Sequence, residues 1–290
     1  MTNIDKPALK RREHDNWASA AEGWRRRDAL LTKGGAPVTE RMLELCGICS
    51  GSRLLDIASG TGEPSISAAK IVGGSGQVVG TDLVEEMLTV AREKAARAGL
   101  ENIEYHCKDA ETLEFDTASF DAVTIRWGLM FMPDPLACLS AAYRALKPGG
   151  KIVVACWAAP EKNPFVGVLM QVLSQYMDIP KPPEGTPGIF AFADPVRLEN
   201  VLKSAGFDHI ELEEVVIDVI EVENGRAYWE AMSDLAAPVM ALVRQLDESA
   251  RIQYIEKVIE VANRYMQGGT LAMKGTTWIA CASKQVMHGV

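Results

Sequence analysis

Leu54-Leu55-Asp56-Ile57-Ala58-Ser59-Gly60-Thr61-Gly62-Glu63-Pro64 is the stretch whose reading decides the fold. The run from Arg53 to Ile57 reads as a short buried parallel strand. Pro64 stands where the first turn of a helix accepts a residue without an N–H. Strand, small-residue turn and helix together open a nucleotide-binding βαβ unit. Gly60 and Gly62 lack a Cβ, so a ligand can come close to the backbone there.

Two details narrow the nucleotide. The dinucleotide fingerprint asks for a third glycine three residues after the second, and that position is Ser65. Asp56 ends the strand and Glu63 follows the second glycine. Carboxylates on both sides of the turn repel a pyrophosphate and suit a cofactor that carries an ammonium and a sulfonium.

The elements after the turn repeat the βα alternation. A helix from about Pro64 to Val72 leads through Gly73-Gly74-Ser75-Gly76 into a second strand, Gln77 to Asp82. Asp82 lies twenty residues after Gly62, the expected place for a carboxylate that receives the ribose hydroxyls. The same acid is compatible with capping the helix that starts near Val84. That helix, Val84 to Ala98, is amphipathic and closed by Gly99. Ile103 to Cys107 reads as a third strand running into Lys108-Asp109-Ala110, and Phe120 to Trp127 as a fourth. Ligands sit beyond the carboxyl ends of parallel strands. Arg126 is therefore positioned for a cofactor carboxylate or a substrate oxygen and Trp127 for a wall of the site, with a surface arginine and a packing tryptophan as the plainer reading. Pro133-Asp134-Pro135 starts a helix that runs to Leu146, Lys147-Pro148-Gly149-Gly150 ends it, and Lys151 to Trp157 is a fifth strand.

As an ordered set, residues 53–157 resemble the class I methyltransferases that use S-adenosylmethionine (SAM), whose first motif runs acid-x-Gly-x-Gly-x-Gly. Ala58 stands in the place of the first glycine. Leu146-Lys147-Pro148-Gly149-Gly150-Lys151 resembles the turn before the fifth strand in that family. The order of motifs is most similar to the ubiquinone/menaquinone-biosynthesis and natural-product methyltransferases. The resemblance implies an α/β fold with a doubly wound, mostly parallel seven-stranded sheet, its last strand inserted antiparallel. It implies that Asp109 takes the exocyclic amine of adenine, that the Ala110 N–H meets the ring, and that an aromatic near Trp24 on an N-terminal helical segment touches the cofactor. The expected cofactor residues are Trp24, Asp56, Ala58, Ser59, Gly60, Gly62, Asp82, Leu83, Met87, Asp109, Ala110, Arg126 and Trp127. Trp17 and Trp24 are also compatible with a purely packing role.

Outside these motifs, residues 1–45 read as an N-terminal helical cover, interrupted around Lys33-Gly34-Gly35-Ala36-Pro37, before a methyltransferase domain at 46–290. Residues 158–193, with the proline-rich run from Ile179 to Gly188, form a lid-like loop. A helix over Pro195–Ala205 ends at Gly206. His209 to Ile220 and Thr276 to Ser283 supply the sixth and seventh strands. Between them, residues 226–266 form a helical insertion broken at Pro238. It carries Tyr228, Trp229, Met232, Leu235, Val239, Met240 and Leu242, too many apolar groups for a solvated helix pair. Roofing an acceptor pocket accounts for them, and so does a packing extension or dimer surface.

Composition bounds the rest. The 290 residues are 48% hydrophobic and 24% charged, enough apolar material for a sizeable core. A net charge of −9 argues against a nucleic-acid partner. The polar N-terminus lacks the apolar region of a secretory signal and no apolar run is long enough for a membrane span, so a cytoplasmic protein is expected. Six cysteines include a lone Cys46-Gly47-Ile48-Cys49, without the second pair or histidines that zinc needs, so no metal is expected. The expected activity is methyl transfer from SAM to a small, largely apolar or aromatic acceptor, with a homodimer compatible. The alternatives are a SAM-binding protein of this fold with other chemistry, or a regulatory, non-catalytic one. No catalytic residue is assigned: His14 and His106 are nearest the motifs, but histidines on a surface helix or inside a strand are more often structural.

Overall fold

The computed structural model describes residues 5–179, 183 and 185–286. Its centre is an eight-stranded sheet. β1 (Arg53–Ile57), β2 (Gln77–Asp82), β3 (Ile103–Cys107), β4 (Phe120–Arg126) and β5 (Leu146–Trp157) are parallel, and β6 (Asp208–Val222) and β8 (Thr270–Ser283) complete the order β3-β2-β1-β4-β5-β8-β6. β8 runs antiparallel to both neighbours, as expected for the last strand. The eighth strand, β7 (Met266–Gln267), is a two-residue hairpin arm on β8 that no sequence pattern signalled. Leu54 pairs with Val78 on one side and Ala122 on the other. β1 is thus the inner strand from which the chain winds both ways, and the crevice at its carboxyl end is the switch point where ligands bind.

The central strands are apolar on both faces because helices cover both; Leu54, Leu55, Ile57, Val78, Val123, Ile125 and Val153 are essentially inaccessible. α3 (Ser65–Val72) and α4 (Glu85–Arg97) pack on β1–β3, while α5 (Pro135–Ala145) and α7 (Pro195–Ser204) pack around β5, β6 and β8. Pro64 is the residue just before α3. β5 begins five residues earlier than expected. The Lys147-Pro148-Gly149-Gly150 turn is drawn into the sheet margin, where the Gly149 N–H donates to Lys284 and the Lys284 N–H to Gly150.

The N-terminal segment differs most from expectation. α1 (Lys6–Arg26) and α2 (Asp28–Cys46) break at Arg27, and α2 runs unbroken through Gly34, Gly35 and Pro37. Its glycines are contact points: a Cβ on Gly34 would sit 2.3 Å from the Val219 carbonyl oxygen, and one on Gly35 2.7 Å from Arg126 Nη1. α2 is a layer of the fold packed on β4, β5, β6 and β8, so only α1 is a cover.

α6 (Pro164–Leu173) fills the first part of the expected lid, which is therefore not a plain loop. Buried Asn163 sets its start, donating to the Ala158, Ala159 and Thr276 carbonyls and accepting from the Thr276 N–H. Pro180, Lys181, Pro182 and Glu184 of the proline-rich run lie outside the described residues. The insertion is α8 (Gly225–Leu235), α9 (Ala237–Val243, with Pro238 in its first turn) and α10 (Glu248–Ala262). α1 packs on α4 at one side and on α8 and α9 at the other, and so bridges the carboxyl edge of the sheet. Gly23 allows the close crossing, since a Cβ there would meet the Asp234 carbonyl oxygen at 2.4 Å. None of the described helices is long and apolar enough to cross a membrane.

Candidate active site

The turn after β1 takes left-handed φ values at Ala58 (58°) and Gly60 (52°), and Gly62 follows at 109°. The two glycines serve different ends. Nothing lies within 4 Å of a Cβ built on Gly60, so its backbone is open to the crevice. A Cβ on Gly62 would meet Ile66 Cδ1 at 2.8 Å and Tyr105 Oη at 3.2 Å, so that position is small for packing. Ala58 carries the strain of a left-handed alanine, about 1–2 kcal/mol. Its methyl occupies the space beside Gly128, where a Cβ would come within 2.4 Å of it.

A cleft of about 1020 Å³, partly open to solvent, lies beyond this turn. Eleven of the thirteen expected residues line it: Trp24, Ala58, Ser59, Gly60, Asp82, Leu83, Met87, Asp109, Ala110, Arg126 and Trp127. Gly62 and Asp56 do not. The Asp56 carboxylate turns into the sheet instead, fully buried, accepting from the Ser65 hydroxyl and, at 2.8 Å, from Thr124 Oγ1. Burial pushes its pKa up to about 6 against these hydrogen bonds. Of the two acids around the turn, only Glu63 lines the cleft.

Asp82 joins the elements at the cleft floor. Its Oδ2 accepts from the Gly60 N–H at 2.9 Å and its Oδ1 from the Val84 N–H at 3.0 Å, just ahead of α4. Burial raises its pKa, and the backbone N–H groups oppose the rise. Asp109 accepts from the Glu111 N–H at 3.0 Å and from Lys10 Nζ at 2.6 Å. Lys10 also pairs with Glu111 at 2.5 Å, which pins α1 across this end of the cleft. At the other end of α1, Arg26 and Arg27 hold Asp234 of α8 at 2.6 and 2.7 Å.

Beside the expected Trp24, α1 contributes Lys10, Glu13 and Trp17, which the sequence reading did not assign to the site. Lys10, Glu13, Trp17 and Trp24 all line the cleft. Their spacing of three, four and seven places them on one helical stripe, the signal that was available. Glu13 is buried, its Oε1 taken by Arg12, and its Oε2 has no partner among the described residues. Burial raises its pKa. Phe131, after β4, is another unforeseen wall.

A second space of about 960 Å³, also partly open to solvent, adjoins the first. Its lining is mostly apolar and comes from distant segments: Leu31 of α2, Trp157 at the end of β5, Phe165 and Val166 of α6, Ile189, Val219 and Ile220 of β6, and Met232 and Leu235 of α8. Trp127 and Trp157 stack at 4.5 Å and 9°, and Phe165 rests on Trp157 at 4.7 Å. Of the insertion's apolar set, only Met232 and Leu235 face this space. The Tyr228 hydroxyl donates to the Phe165 carbonyl at 2.7 Å, Trp229 lies edge-on to Tyr254, and Val239, Met240 and Leu242 belong to the core.

Trp17, Trp24, Thr61, Glu63, Arg126, Trp127 and Phe131 line both spaces. Arg126 Nη1 donates to Thr39 Oγ1 at 2.8 Å, and its guanidinium lies 4.9 Å from the Trp127 ring centre. Burial lowers its pKa, against the pull of the Glu63 and Asp56 carboxylates. Among the described residues no histidine lines either space; His14 and His106 stand at the surface beside Asp15 and Glu104. Cys46 is buried and Cys49 exposed, and no group of three or more metal-binding side chains is gathered among the described residues.

Comparison with known proteins agrees with this fold. The model of the ubiE/COQ5 methyltransferase family matches residues 38–179. The chain is 38% identical over 131 residues to the ubiquinone/menaquinone biosynthesis C-methyltransferase UbiE of Marinomonas sp. (strain MWYL1), covering 45% of this chain and 51% of that protein, so it spans about half of that relative's length. It is 30% identical over 222 residues to the demethylmenaquinone methyltransferase of Staphylococcus saprophyticus, covering 72% of this chain and 93% of that one. Haemonchus contortus phosphoethanolamine N-methyltransferase 2, solved with SAM, shares the fold, with a TM-score of 0.53 and 23% identity over 86% of this chain and 52% of that one. With its doubly wound sheet, its glycine turn and these relatives, the chain belongs to the ubiE/COQ5 methyltransferase family of class I SAM-dependent methyltransferases.

Proposed function

We propose that the chain moves the methyl group of SAM from the cleft beyond β1 to a flat, largely apolar acceptor of the quinone-precursor or phenol type in the adjoining cavity. The observation that carries this reading is the wall common to the two spaces. A cleft edged by Asp82, Asp109 and Glu111 and a second space walled by Leu31, Trp157, Phe165 and Val219 meet at Trp17, Trp24, Glu63, Arg126, Trp127 and Phe131.

The cleft residues fit the cofactor chemically. Gly60 leaves its backbone open beside a partly exposed Asp82 carboxylate suited to ribose hydroxyls. Leu83, Met87 and Ala110 offer apolar walls for the base next to Asp109. Bound SAM would supply an already activated methyl group. The chain's own task is then to align nucleophile, methyl carbon and sulfur and to keep water out. α1 closes the cleft from above through the Lys10, Arg26 and Arg27 ion pairs. The Trp127–Trp157 stack gives the acceptor a planar surface. The names of the relatives, which act in ubiquinone and menaquinone biosynthesis, support an acceptor of this class.

Calorimetry with SAM, S-adenosylhomocysteine and NAD tests the cofactor, and radiolabelled SAM with a metabolite extract and demethylated quinones tests the acceptor. Label in a small apolar product is expected. NAD binding without a SAM signal would sink the reading, as would label entering only RNA or protein. Asp82→Ala should weaken SAM by ~1.5–3 kcal/mol, as loss of charge-assisted hydrogen bonds does.

A further inference from the structure

If methyl transfer joins the two spaces, the reacting sulfur and methyl must lie where they meet, against the residues common to both. Those residues are unusual in kind. Trp17 of α1 stands edge-on to Trp24, with ring centres 5.5 Å apart at 84°, and edge-on to Phe131 at 5.1 Å and 76°. Rings nearly perpendicular at each meeting form the corners of a box rather than a stack. The box is held firmly: Trp24 Nε1 donates to the Leu235 carbonyl at 3.3 Å, and Phe131 closes a backbone turn on Gly128. Glu63 adds a carboxylate to the same wall. Arg126 is the cation at this junction, held on Thr39 and over the Trp127 ring, and the Glu63 carboxylate also acts on its charge.

Aromatic faces carry negative quadrupole charge and bind onium groups, the more so when water is excluded. From this geometry we infer that Trp17, Trp24 and Phe131, with Glu63, form a cage for the cofactor's positively charged sulfonium. The inference rests on the SAM reading above and adds a consequence to it. The cage holds the charged methyl donor and not the neutral thioether left after transfer, so loss of the methyl group weakens the grip on the cofactor and favours product release.

The test compares three ligands that differ at this centre: SAM, S-adenosylhomocysteine with a neutral sulfur, and sinefungin with an amine in the same place. Calorimetry on the whole chain is run for wild type, Trp17→Leu and Trp17→Phe. Trp17→Leu should weaken SAM and sinefungin about fivefold relative to S-adenosylhomocysteine, the size of a partly desolvated cation–π contact, and Trp17→Phe should restore most of that ratio. Phe131→Leu, read the same way, serves if Trp17→Leu does not fold. Equal loss of all three ligands in the folded variants would overturn the cage and leave Trp17 as packing. Wild-type protein that bound none of the three would overturn the cofactor reading itself.

Discussion

Gly35 of α2 lies against the Arg126 guanidinium: a Cβ built at position 35 would come within 2.7 Å of Nη1. Its neighbour Gly34 is closer still to something that cannot move, the Val219 carbonyl oxygen at 2.3 Å. Alanine at the two positions should therefore behave differently. Gly34→Ala forces two backbones apart and should cost roughly 1–3 kcal/mol. Gly35→Ala meets only the end of a flexible side chain and gains helix propensity, so stability should stay within about 1 kcal/mol. It displaces Arg126 from the junction, so methyl transfer should suffer instead. Urea unfolding beside a methylation assay separates the two, and a fully stable Gly34→Ala would show that close approach is not what requires glycine there.

Ala58 offers a change in the opposite direction. It holds a left-handed φ of 58° where glycine would be unstrained. Ala58→Gly should stabilise the chain by about 1 kcal/mol, net of the greater freedom glycine gives the unfolded state. Thermal unfolding measures this directly, and a lower midpoint would mean that the methyl's packing at Gly128 outweighs the strain.

These positions also show what the sequence could and could not convey. β1, β2 and β4 were legible because buried parallel strands are short apolar runs between glycine turns, and the cofactor half of the site follows from their ends. α2 looked broken because Gly34, Gly35 and Pro37 are local helix breakers, and only the contacts with Val219 and Arg126 explain them. Asp56 was expected in the cleft, but with Leu55 and Ile57 buried on either side of it, nothing in the strand's pattern told which way the carboxylate turns. The second space, the proposed acceptor site, was the least legible part. Its walls at Leu31, Trp157, Phe165, Val219 and Met232 meet only through the tertiary fold.

Asp56 makes stability depend on pH. Its folded-state pKa, about 6, is above the ordinary aspartate value of 3.8, so between those values the native state holds more protons than the unfolded one. Stability from this group is fully present below about pH 4 and is lost as pH rises through 6. The loss is roughly 2–3 kcal/mol at 1.36 kcal/mol per unit. Asp56→Asn can accept from one of the Ser65 and Thr124 hydroxyls and donate to the other, and it has no charge to bury. Denaturant unfolding at pH 4 and pH 7.5 should show the variant gaining on wild type at the higher pH, and an unchanged difference between them would refute the assignment.

Removing residues 226–266 is the obvious test of the acceptor cavity, but the packing argues against it. Tyr228 and Tyr254 are buried and donate to the Phe165 and Leu169 carbonyls of α6, and Asp234 and Leu235 hold Trp24 and Arg26 of α1 and Arg27 just after it. A deletion would open the core and release α1 from over the cleft beyond β1, so SAM binding and methyl transfer should fail together. Met232 is the cleaner probe because it lines the proposed acceptor cavity and not the cleft beyond β1. Met232→Trp adds bulk to that space beside the Trp127–Trp157 stack, and small-to-large changes at a packed wall cost about 1–3 kcal/mol. SAM affinity should stay within about twofold of wild type while methylation of a quinone-type acceptor falls at least tenfold, mainly through KM. Met232→Ala, which enlarges the same space, should retain transfer and shift preference toward bulkier acceptors. If Met232→Trp lost SAM binding to the same extent as methylation, the two cavities would not be separate sites for donor and acceptor.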